Sequence, residues 1–367
     1  MRTRICDEFG IEYPIFGFTP SPEVAAAISR AGGMGVLGAV RYNDPAELAD
    51  ALDWMDQNVD GKPYGVDVVM PMKIPMEGTP TDLDELIPKA HRDWVDNTLT
   101  KLGVPPLPET TEQRDGVLGW LHSVARSHVD IALEHPIKLI ANALGSPPDD
   151  VIEQVHKHDV KVAALAGKAV HAERHVGRGV DIVVAQGHEA GGHTGEIASM
   201  VLWPEIVDAV GKDAFVLGAG GVGTGRQIAA ALALGCDGVW MGSLWLTTKE
   251  NEMMQQVGAT TKALLQATSA DTVRTRIYTG KPARLLKTEW TQAWEDEDAP
   301  EPLPMPLQNL LVAEAHHRIA LSADPAVVSM PVGQIVGRMN KVRPVADVIG
   351  DLVREYEAAA DRIEKGR

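Results

Sequence analysis

Residues 182–196 read Ile-Val-Val-Ala-Gln-Gly-His-Glu-Ala-Gly-Gly-His-Thr-Gly-Glu. The β-branched run at 182–185 has the character of a buried strand. It stops at Gln186-Gly187, and a loop follows that carries Gly191, Gly192 and Gly195 together with His188 and His193. Glycines at this density let a main chain come close to a flat or anionic ligand. A strand end carrying Gln, Glu and two His has the composition of a catalytic loop. Further on, the strand-like segment 215–219 runs into Gly220-Gly221-Val222-Gly223-Thr224-Gly225 at the start of a helix, and a strand at 238–241 ends in Gly242-Ser243.

The same rhythm extends outward. Strands are expected at 13–18, 35–38, 64–70, 137–141, 160–164, 182–185, 215–219 and 238–241, mostly separated by helical segments. Ser21 and Pro22 form an N-cap and first turn for one helix, and a second starts at Asp44 or Pro45. Repeated β-α units favour a parallel sheet. Eight of them predict an α/β fold, a (β/α)8 TIM barrel with helical insertions; a doubly wound open sheet is the runner-up. The expected division is a barrel from 1–71 and 135–249, a helical insertion at 72–134, a helical substrate-side segment at 250–330, and a cofactor loop and helix at 331–367 returning to the barrel. The acidic run Glu295–Asp298 reads as a solvated turn.

The chain has 367 residues, 44% of them hydrophobic, and a formal net charge of −17. With no basic runs, this argues against nucleic acid and against an anionic membrane surface. The N-terminus lacks the apolar region of a signal peptide, and no run is long enough to span a membrane, so a cytoplasmic protein is expected. Cys6 and Cys236 are too few for a disulfide framework and read as small buried residues.

Residues 218–223 match G-x-G-x-x-G, but after the seventh strand rather than the first, and no acid ends the next strand. That position suits a barrel phosphate site, in which the loops after strands seven and eight offer backbone N–H groups. Gly220, Gly221, Gly242 and Ser243 fall there; tight turns without a ligand are the bland alternative. His193 is the candidate acid/base, since imidazole titrates near neutrality; a histidine that only orders its loop is the competing reading. His188 reads as a loop-packing residue, and Glu189 as a carboxylate that orders the loop. Gln186 offers an amide to a heterocycle. The pattern shows no HExxH, CxxC or G-x-S-x-G, so neither a metal site nor a hydrolase nucleophile is expected.

These pieces together resemble the nitronate monooxygenase family, formerly the 2-nitropropane dioxygenases. The resemblance runs from 9–15 and 31–35 through Gln186–His193 to 275–284 and 331–334. It implies an FMN-dependent barrel in which His193 is the catalytic base, Gln186 lies by the flavin, and Gly220, Gly221, Gly242 and Ser243 hold the FMN phosphate. It places Gly187, Gly192, Gly333 and Gln334 near the cofactor. Two departures stand out. Phe16-Gly17-Phe18-Thr19-Pro20 replaces the family's usual Gln-Ala-Pro-Met or Gln-Gly-Gly-Met beside the flavin, bringing in Phe18. Asp67 replaces an asparagine after strand three, and an ionised Asp67 would oppose negative charge on the reduced ring. The implied activity is oxidation of alkyl nitronates, small-molecule substrates, with O2. The alternatives are an NAD(P)H-dependent reductase of quinones or enoyl thioesters, an acyl-CoA dehydrogenase, or a flavin-binding protein without activity. A basic group of Arg274, Arg276, Lys281 and Arg284 either holds a distant phosphate or neutralises FMN or faces solvent. A homodimer is compatible with the chain.

Overall fold

A computed structural model describes residues 1–70, 83–108, 122–252 and 258–366. Eight parallel strands close into a barrel: β1 (Ile15–Thr19), β2 (Met34–Gly38), β3 (Tyr64–Val68), β4 (Leu139–Asn142), β5 (Lys161–Ala166), β6 (Ile182–Gln186), β8 (Phe215–Ala219) and β9 (Gly238–Met241). Closure is made by β1 and β9, which pair in parallel through Ile15 and Val239, Phe16 and Trp240, and Gly17 and Met241. The expected barrel is therefore present, and the open sheet is not.

Strand alternation sorts the side chains. Tyr64, Val66 and Val68 pack outward with Leu48, Leu52 and Met55 of helix Pro45–Asn58. Phe16, Val36, Ala141, Val184, Leu217 and Trp240 fill the inside. Helix Arg4–Phe9 plugs the N-terminal end of the barrel, where Ile5, Cys6 and Phe9 join that inner core. Arg4 Nε is 2.6 Å from Asp237 Oδ1, which ties the plug to the entry of β9. Both cysteines are buried. The Ser21 hydroxyl caps helix Pro22–Arg30 by accepting from Val24 N, and Asp44 caps Pro45–Asn58 in the same way through Ala46 N.

Two insertions differ from expectation. Within the expected 72–134 block, residues 71–82 and 109–121 lie outside the described residues. Its last helix, His122–Ala132, belongs to the barrel's outer ring, because Ala125, Val129 and Ala132 pack against the same apolar surface as helix Pro45–Asn58. The block 250–330, expected to be helical, contains helices Gly258–Gln266, Glu289–Ala293 and Leu307–Ser322 but also two strands, β10 (Thr272–Thr275) and β11 (Ala283–Leu286). These pair antiparallel, and β11 also pairs with the two-residue strand β7 (Gly192–His193). Helix Lys89–Lys101 leaves the barrel and packs Val95 and Leu99 onto Leu311, Val312 and Ile319 of helix Leu307–Ser322. Buried Arg318 locks this layer by donating to the carbonyls of Pro105 and Val104 at 3.0 and 3.2 Å.

The C-terminal helix Val345–Lys365 returns to the barrel. A Cβ on Gly225 would lie 2.0 Å from Leu352 O, so this contact with helix Gly225–Ala233 is between backbones. Glu355 accepts from Gly225 N at 2.9 Å, a carboxylate at a helix N-terminus. No helix among the described residues is long and apolar enough to cross a membrane.

Candidate active site at the C-terminal mouth of the barrel

The glycine-rich loops meet at the C-terminal ends of β6, β8 and β9, and Glu189 organises them. Its carboxylate accepts from the N–H of Ser199 at 3.0 Å and from the Ser199 hydroxyl at 3.1 Å, at the start of helix Ser199–Val210. Most glycines here exist for loop-to-loop packing. A Cβ on Gly187 would sit 2.0 Å from Ser199 Oγ, one on Gly191 2.7 Å from Gly333 N, and one on Gly333 2.8 Å from Glu189 O. Gln334 N donates to Glu189 O at 2.9 Å, fastening the 333–334 loop to the β6 loop.

Three positions differ. A Cβ on Gly192 would meet nothing within 4 Å, one on Gly221 nothing closer than 3.8 Å, and one on Gly242 nothing closer than 3.7 Å. Gly221 is also in the left-handed region, at φ 70°. Among the described residues, no backbone carbonyl accepts from the N–H groups of Gly221, Val222 or Ser243. The loops after β8 and β9 thus present donors beside open space. Ser243 is partly committed, since its Oγ accepts from Gly333 N at 2.8 Å.

His193 is held from two sides. Gln186 Nε2 donates to the His193 carbonyl at 2.8 Å, and His193 Nε2 lies 2.7 Å from Thr279 Oγ1. Pairing of β7 with β11 sets His193 opposite Ala283, which carries the 279–281 turn to the histidine. Lys281 N also donates to Thr279 Oγ1, at 3.3 Å. Burial, with the positive charge of Lys281 adding to it, lowers the His193 pKa to about 4. The imidazole is therefore neutral at neutral pH. His188 is different: Arg284 donates to its Nε2 at 2.9 Å, and an arginine has no acceptor to offer. That leaves the His188 proton on Nδ1, which is buried and without a partner among the described residues.

The four basic residues do not form one open cluster. Arg274 bonds Thr194 through its hydroxyl and carbonyl, Arg276 the carbonyls of Gly280 and Pro302, and Arg284 the His188 carbonyl and Thr272. Their guanidinium groups are spent on building loops.

The floor of the mouth is apolar with polar exceptions. Phe18 and Trp240 stack with centroids 6.3 Å apart. Between outward Val66 and Val68, Asp67 points inward and is 3% exposed. Burial raises its pKa well above the usual carboxylate range. The interior offers it no compensating charge, so the condition under which Asp67 would oppose negative charge on a reduced ring is disfavoured here. Thr279 and Ser199 were not singled out in the sequence, because each acts through a partner distant in the chain; Lys281 was named only within the basic group, not as a neighbour of His193. Among the described residues, one group has metal-ligand geometry: Asp53, Asp56 and His135. It lies at the opposite barrel end, where Tyr64 and His135 already bond Asp56.

The family model for nitronate monooxygenase matches residues 2–355. The "Putative monooxygenase Rv1533" of Mycobacterium tuberculosis is 49% identical, covering 97% of this chain and 96% of that protein. A Staphylococcus aureus protein named "Probable nitronate monooxygenase" is 25% identical, covering 96% of this chain and 97% of its own. Among solved structures, a nitroalkane oxidase from Streptomyces ansochromogenes superposes with a TM-score of 0.81 at 25% identity, over 98% of this chain and 99% of that one. FabK from Thermotoga maritima superposes with a TM-score of 0.75 at 26% identity, over the whole of both chains. The chain belongs to the nitronate monooxygenase family and is an enzyme of that type.

Proposed function

We propose that this protein is an FMN-dependent oxidoreductase that oxidises alkyl nitronates with O2. The observation that supports the reading most is His193: a neutral imidazole anchored by Gln186 and Thr279 beside a donor-lined glycine cradle. The residues present suit a flavin. Open space at Gly221 and Gly242, with the N–H groups of Gly221, Val222 and Ser243, suits the phosphate. Gly187, Gly192 and Gly220 would shape the adjoining backbone. The apolar floor of Phe18 and Trp240, with Asp67 and Gln186, suits a flat heterocycle, and Gly333 and Gln334 would close that side. Bound FMN supplies electron acceptance and O2 chemistry.

His193 does the proton work. Thr279 Oγ1 has two lone pairs, one taken by Lys281 N. The other can accept from His193 Nε2–H, which leaves Nδ1 free to take the Cα proton of a neutral nitroalkane and so generate the nitronate within the site. The layer built from residues 83–104 and 272–330 forms the substrate side and keeps water from the reacting carbon. The test is an anaerobic visible spectrum of the purified protein. The reading expects a flavin that stays oxidised with NADH or NADPH, followed by O2 uptake on adding alkyl nitronate. Rapid bleaching by NADPH would replace it with a reductase of quinones or enoyl thioesters.

A further inference from the structure

Among the described residues, Asp67 is the one carboxyl on the inner wall of the barrel mouth, and its surroundings are specific. In register, β2 sets Gly38 beside it and β4 sets Ala141. The facing strands present Phe18, Leu165, Gln186 and Trp240, none of which titrates. Among the described residues nothing hydrogen-bonds its oxygens and no cation approaches; burial is the sole influence on its ionisation. His193, the titratable group of the same face, feels burial and Lys281 but not Asp67. The contrast within this chain is Asp237, also buried, which is satisfied by Arg4 and by Val216 N at 2.8 Å. A carboxylate buried without hydrogen bonds or a counter-ion is far costlier than the neutral acid. An acid O–H left without a protein acceptor is instead a donor waiting for a ligand atom.

We propose that Asp67 stands on the barrel floor as an un-ionised carboxylic acid and donates its O–H to an acceptor on the ring of the bound cofactor. This rests on the FMN reading above. A carboxylate at this place would repel the lone pairs of a ring carbonyl, whereas the acid, like a primary amide, offers the proton that such an atom accepts. Asp67 is thus a binding group for the heterocycle rather than a charge set against it.

The experiment has two readouts. In holoprotein labelled with 13C at aspartate side-chain carboxyls, the resonance lost in Asp67→Asn is identified. It is expected at the chemical shift of a protonated carboxyl at pH 7, and a carboxylate shift there overturns the inference. Apoprotein is then titrated with FMN at pH 7. Asp67→Ala is expected to weaken FMN binding about 5- to 50-fold, the cost of removing one buried donor, while Asp67→Asn stays within about threefold. If Asn weakens binding as much as Ala, or Ala binds as well as wild type, the donor role falls. If wild-type protein does not bind FMN, the flavin reading itself fails and this inference with it; unequal variants on a wild type that binds FMN separate the two.

Discussion

Lys281→Met tests the proton chemistry most directly. The base must be unprotonated, so kcat/KM is lost as pH falls through the His193 pKa. That value drops from 6.5 to about 4, with burial the larger cause and Lys281 the smaller. Removing the lysine charge relieves only the smaller cause. The acid-side inflection should therefore move up from about 4 but stay below the ordinary histidine value of 6.5. A more basic imidazole that is still neutral at pH 7 is the better base, so the pH-independent rate should rise about two- to fourfold. The assay is initial rate against a neutral nitroalkane at sub-saturating concentration from pH 3.5 upward, with circular dichroism at each pH to confirm folding. A wild-type inflection at the ordinary histidine value, or an inflection in Lys281→Met that is unchanged or lower, would refute the argument.

Other outcomes follow from the same geometry. His193→Asn should keep its flavin, seen in the visible spectrum, and lose about 10²- to 10⁴-fold in turnover of a neutral nitroalkane. Thr279→Val should retain flavin and lose about 3- to 15-fold in kcat/KM, because the Nε2–H partner that fixes the tautomer is gone; unchanged kinetics would remove Thr279 from the positioning of His193. Gly221→Glu should purify without flavin, through bulk and negative charge at the open face of the cradle; normal flavin content would refute the phosphate assignment. Gly225→Val should destabilise the protein by about 1–3 kcal/mol, read as a lower denaturant midpoint at unchanged m, since its side chain would meet the backbone of helix Val345–Lys365.

The barrel was legible because its strands are buried on both faces. Runs such as 182–185 and 215–219 are continuously apolar and stop at glycines, so each announces itself locally. Ser21-Pro22 and Asp44-Pro45 marked helix starts for equally local reasons. What stayed hidden depends on distant partners. The β10–β11 pair carries Arg274 and Arg284 within its strands, which obscures any apolar alternation, and its third partner is only two residues long. Helix His122–Ala132 follows a proline-bearing stretch that hides its start in the sequence, although its small and β-branched face belongs against the barrel. His193 could be nominated from its loop, but its anchor Thr279 lies 86 residues away, and no spacing rule joins them. Asp67 was visible as a departure, yet its ionisation follows from its neighbours across the barrel.

The layer over the mouth has a consequence for synthesis. Val95 and Leu99 are covered by Leu311, Val312 and Ile319, and Arg318 closes onto Val104 and Pro105. At about 5–20 residues per second, a ribosome needs roughly 11–43 s to pass from residue 104 to residue 319. Through that interval the first half of the layer is outside its fold with apolar side chains uncovered. The apolar layer is thus a late product of translation. A stall within residues 105–319 leaves a nascent chain with a sticky, half-built roof that is a natural client for a hydrophobic-binding chaperone.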